Sequence, residues 1–79
     1  MIYDKDNIKE WEGCNNRLDN IAYTFFQQDL DFIYGKNHGP EFLTVELFIK
    51  NKCFNKEYYI LAYNLLREEK INKIRERIR

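Results

Sequence analysis

Apolar and polar positions alternate most regularly from Asn55 to Arg79, a run without Gly or Pro. Tyr58, Leu61, Ala62 and Leu65 recur at helical spacing, and Ile60, Tyr63, Arg67, Ile71, Ile74 and Ile78 trace a second row. Asn55 suits the N-cap, where a side-chain oxygen accepts from a first-turn N–H that has no partner inside the helix. A helix over this run would reach about 35 Å at 1.5 Å per residue, longer than so small a domain is wide. The pattern therefore predicts a long C-terminal helix that serves as packing spine, apolar on most sides at first and basic at its end.

Upstream, Leu18, Ile21, Ala22, Phe25, Asp29, Phe32 and Ile33 keep a helical period. Asn16 fits its N-cap, with Asp19 three residues on in a capping-box-like position. Before it, Asp4 or Asp6 is expected to cap a short helix bearing Ile8 and Trp11, and Gly13–Cys14–Asn15–Asn16 reads as a break. Trp11 and Cys14 share the phase, so one unbroken helix from Asp4 to Tyr34 is the alternative. The stretch from Gly35 to Pro40 reads as a loop, with Pro40 suited to open the next element.

Glu41 to Lys50 carries two patterns. Phe42, Val45 and Ile49 fit a helix, whereas Leu43, Val45, Leu47 and Ile49 alternate with Thr44, Glu46 and Lys50 as a strand would. A strand would need a hairpin through Asn51–Lys52 into Cys53–Phe54, or a second copy of the chain, so the helix is preferred. The expected fold is all-α over residues 1–79 as a single domain: a small three- or four-helix bundle with a long C-terminal helix. The alternative is α+β with a short hairpin around 41–54.

Composition adds a surplus of rings. In 79 residues there are one Trp, six Tyr and six Phe, and a chain this short buries only about 60–65% of the surface its unfolded form exposes. Self-association or a partner would cover what a monomer leaves out. Charge balances overall, yet Met1–Glu46 holds nine acids and four bases, and Leu47–Arg79 nine bases and four acids. The acidic half is expected to fold against the basic helix, or else to present a face of its own. Lys, Asn, Ile, Tyr and Phe, all with AT-rich codons, make up 38 of the 79 residues, which points to a low-GC bacterium, its phages or another mobile element.

Signals for chemistry are few. His38 is the single histidine, and no sequence relationship brings it a nucleophile such as Cys53 or an orienting acid. Cys14 and Cys53 lack metal spacing and read as reduced thiols. Gly35 and Gly39 lack the Gly-Lys-Ser/Thr ending of a phosphate loop. Met1–Lys5 becomes charged at once and no apolar run nears the length of a membrane span, so a cytoplasmic protein is expected, with no cofactor, no metal and no enzymatic activity.

Binding is the remaining class. Trp11, Tyr23, Tyr34 and Tyr58 are the expected anchors for a larger protein, with Asp29 and Asp31 steering the approach of a basic surface. The alternative is a small dimeric nucleic-acid-binding regulator that lays Lys70, Lys73, Arg75, Arg77 and Arg79 along phosphates. The same bases also suit the C-terminal end of a solvated helix, and the isoleucines between them a two-fold helix contact. A helix-turn-helix over 41–50 and the helix from Asn55 has the right order, but lacks the turn glycine and places one base in its second helix's first turn.

Overall fold

The computed structural model describes residues 3–35 and 44–77, with side chains as far as Ile71. It contains three helices, α1 (Arg17–Tyr34), α2 (Val45–Lys50) and α3 (Lys56–Arg77), and among the described residues no strand. The all-α fold follows, with α3 the longest element. Residues 44–54 form α2 and a run of turns, so the hairpin alternative is excluded over that stretch. Residues 41–43 lie outside the described part.

Local chemistry sets the helix ends. Asn16 holds an extended backbone and its Oδ1 accepts from Asp19 N–H at 2.9 Å, the expected cap of α1. At the other end Gly35 takes φ +81°, a conformation that disfavours a side chain, and its N–H returns to Asp31 O at 2.9 Å. Thr44 caps α2 through its Oγ1, 3.3 Å from Leu47 N. Asn55 stands just before α3 and fastens the turn as well, since its amide donates to Phe48 O at 3.0 Å and Asn51 O at 3.1 Å.

Two expectations are corrected. Residues 3–16 are not helical: they form an irregular strap with turns at Lys5–Asp6 and Glu12–Gly13. Asp4 does accept from Asp6 N–H at 3.0 Å, and Asn7 adds a bond to its carboxylate. These bonds close a local turn, and no helix propagates from it. The second correction concerns the spine. Asp19 to Phe25 are all buried, so almost two turns of α1 are covered on every side, and α2 and α3 both pack on it. α1 is the centre, and α3 is one of its neighbours.

The core is aromatic. Phe48 of α2 is fully buried, with ring centroids of Phe26 at 5.1 Å, Tyr23 at 5.2 Å, Tyr59 at 5.6 Å and Tyr58 at 6.1 Å. Trp11 meets Tyr23 edge-on at 4.8 Å, and Tyr3 leans on Phe25 at 5.2 Å. Most of these pairs are tilted or edge-to-face, arrangements that add about 0.5–1.5 kcal/mol each beyond the area they bury. Ile21, Ala22, Ala62 and Leu65 fill the space between rings. Eight of the thirteen aromatics are thus built into the fold, and Phe32, Tyr34, Phe54 and Tyr63 stay more than half exposed.

Ion pairs run against the expected sense. Lys5–Glu68 at 3.0 Å and Arg17–Glu69 at 3.6 Å join bases of the acidic half to acids of the basic helix. Lys52–Asp19 at 3.8 Å runs the expected way. The first two are exposed and contribute little. The third faces a carboxylate that is 4% exposed, and leaving that charge unpaired would be costly.

Candidate protein-binding surface

α3 presents two apolar faces. At about 100° per residue, Tyr58, Tyr59, Leu61, Ala62 and Leu65 cluster on one side, and Ile60, Tyr63, Arg67 and Ile71 on the opposite one. α1 covers the first side: Tyr59, Ala62 and Leu65 are buried, and Tyr58 and Leu61 half-buried. On the other, Ile60 is 49% exposed, Tyr63 61% and Ile71 43%. Beside this row lies an open groove of about 320 Å³ lined by Leu18, Tyr63, Leu66, Arg67 and Lys70. Ile74 and Ile78 continue the spacing in the sequence, beyond the described side chains.

The end of α1 forms a second apolar patch. Its helical stripe runs past the core, leaving Phe32, Ile33 and Tyr34 more than half exposed, with Asp31 half-buried beside them. Of the expected anchors, Tyr34 and Asp31 therefore stand at the surface. Tyr23 does not: it is fully buried between Trp11, Phe26 and Phe48, a correction that follows from its place in the covered part of α1.

Tyr58 and Asp29, read separately as anchor and steering charge, are each other's partners. The Tyr58 hydroxyl donates to Asp29 Oδ2 at 2.6 Å and joins the start of α3 to the end of α1. Burial, then this bond, then nearby negative charge raise the Tyr58 phenol well above its ordinary value. Tyr59 is raised likewise by burial and by the Asp19 carboxylate beside it. Trp11 is half-buried, with its ring nitrogen donating to Thr24 Oγ1 at 3.0 Å. Tyr58, Asp29 and Trp11 are thus engaged in contacts within the fold.

Cys14 and Cys53 are free thiols, and burial with the Asp19 charge pushes the Cys14 thiol up, which keeps it protonated. Among the described residues no three His, Cys, Asp or Glu side chains gather as a metal ligand set, and no helix is long and apolar enough to cross a membrane. His38 lies outside the described residues. Of the basic run, Lys70 is exposed, whereas the side chains of Lys73, Arg75 and Arg77, and all of Arg79, lie outside the described part.

The residues that the anchor reading missed are Ile60, Tyr63 and Ile71. The signal was present as the second row on α3. Two apolar rows on opposite sides of one helix cannot both face a single neighbour, so one of them had to remain at the surface. No protein-family model matches the chain, and no curated protein or solved structure matches it either.

Proposed function

We propose that this chain is a non-enzymatic protein-binding module, a small accessory regulator or inhibitor that docks on a larger protein and blocks part of its surface. One observation carries the reading: the longest helix keeps an apolar row, Ile60, Tyr63 and Ile71, on the side turned away from the core. Exposed apolar side chains in line lower solubility, and they are retained where a partner covers them. Tyr63 beside Arg67 is a pairing typical of interface anchors, an amphipathic ring next to a planar cation. The Phe32–Ile33–Tyr34 patch with Asp31 supplies a second contact suited to a partner of basic character.

Photo-cross-linking tests it. A benzoylphenylalanine in place of Tyr63 should give one discrete larger adduct in a lysate of a low-GC bacterium, and the same group in place of exposed Glu12 should give none. Equal labelling from both positions would count against docking through α3. Fluorescence anisotropy with mixed DNA and RNA oligonucleotides is the companion experiment. Micromolar binding that collapses as salt rises would replace this reading by the nucleic-acid one, with Lys70 and the basic end of α3 as its footprint.

A further inference from the structure

The edge of α1 that meets the strap is built unlike the rest of the helix. Asn20, Thr24 and Gln28 follow at intervals of four, a single polar row up the helix. Gln28 Oε1 accepts from Asp4 N–H at 2.7 Å, and its Nε2 donates to Asp4 O at 3.0 Å. Near the other end, Asn20 Oδ1 accepts from Trp11 N–H at 2.8 Å, and its Nδ2 donates to Lys9 O at 3.0 Å. Between them the Thr24 hydroxyl accepts from the Trp11 ring nitrogen and lies 3.1 Å from Lys9 O and 2.8 Å from Asn20 O, to one of which it donates its proton. The strap runs antiparallel to α1.

These carboxamides read main chain. Each offers one donor and one acceptor to peptide groups, as a neighbouring strand would, and so is indifferent to the side chains of what it holds. At the two ends rings add contact, where Tyr3 rests on Phe25 and Trp11 on Tyr23. Open depressions lie between the strap and the helices, about 220 Å³ among Tyr3, Lys5, Phe25, Leu61, Leu65 and Glu68, and about 240 Å³ among Glu10, Trp11, Cys14, Asn16, Arg17 and Asn20. Across the first, Lys5 reaches Glu68 at 3.0 Å on an exposed surface.

We propose that this edge of α1 and α3 is a peptide-binding groove, filled in the free chain by residues 3–11. Its ligand is a non-helical peptide of a partner protein that places one bulky aromatic side chain against Phe25, another against Tyr23, and a base against Glu68. The strap is then an internal competitor at high effective concentration, which a better-fitting peptide displaces. The ligand's being part of a protein rests on the proposed function; the groove does not.

The probe is a fluorescein-labelled peptide of residues 3–12 of this chain, titrated into two full-length proteins. One is wild type; the other carries Tyr3→Ala and Trp11→Ala, which loosen its own strap. The loosened chain should bind at least tenfold more tightly, and adding Gln28→Ala should remove most of that gain. Equal binding by both chains, or a gain that survives Gln28→Ala, would overturn the proposal. Should the loosened chain lose its helical circular dichroism, hydrogen exchange of wild type decides. The amides of Asp4 and Trp11 should exchange at least tenfold faster than those of Ile21 to Phe25, whereas equal protection would mean that the strap opens only with the whole domain. Neither experiment touches Ile60, Tyr63 or Ile71, so failure here is separable from failure of docking through α3.

Discussion

The two faces of α3 are made of similar residues and meet opposite fates. Tyr59, Ala62 and Leu65 disappear against α1, while Ile60, Tyr63 and Ile71 keep between 43% and 61% of their surface in water. Hydropathy alone does not separate them. What separates them is α1, a helix covered on all sides from Asp19 to Phe25, which sets the side of α3 that is used. An apolar side chain on the inner face is worth its burial, about 1.5–3 kcal/mol for a large one. The same residue on the outer face keeps about half of its surface in water and contributes correspondingly less to folding.

Breaking the inner side should have the largest effect. Phe48→Ala removes the ring that Tyr23, Phe26, Tyr58 and Tyr59 share, and should cost about 3–5 kcal/mol, most of the stability of so small a domain. Thermal denaturation followed by circular dichroism should show a broad, early transition or none. Tyr58→Phe is gentler: it keeps the ring and deletes the bond to Asp29, at about 1–2 kcal/mol by denaturant titration.

The same tyrosine gives a pH dependence. Its phenol titrates above the unfolded value of 10.0, so the folded chain retains the proton where the unfolded chain loses it. Stability from this source is complete below pH 10 and falls as pH rises beyond it. Tyr59 behaves in the same sense. Alkaline unfolding should therefore be less steep in Tyr58→Phe than in wild type, read from the denaturant midpoint at a series of pH values. An unchanged slope would mean that the Tyr58 phenol titrates alike in the folded and unfolded chain. Smaller still is Asn16→Ala, expected to cost about 1 kcal/mol because α1 loses the acceptor for Asp19 N–H.

How far the sequence could be read follows the range of the forces involved. The start of α1 was legible because Asn16 caps it through the neighbouring Asp19 N–H, and the end because Gly35 stops it locally. The row on α3 was legible as periodicity. Three things were not. Residues 3–16 carry helix-like spacing, but their main-chain groups are taken by Asn20, Thr24 and Gln28, side chains that only the fold brings near. Tyr23 resembled an exposed anchor because nothing local says that α1 is enclosed. Tyr58 and Asp29 resembled two surface residues because the bond between them spans 29 positions. Roles that depend on tertiary neighbours stayed hidden, including which of the two α3 faces would be left outside.

The most direct test of that division is the stability of a triple variant, Ile60→Ser, Tyr63→Ser and Ile71→Ser, measured by urea denaturation beside wild type at low protein concentration. If the outer face is reserved for a partner, the unfolding free energy should fall by no more than about 1.5 kcal/mol, about 0.5 for each substitution, and the slope should hold. A loss of several kcal/mol would show that these three side chains belong to the core of the fold, and would contradict the separation of one face for folding and one for binding.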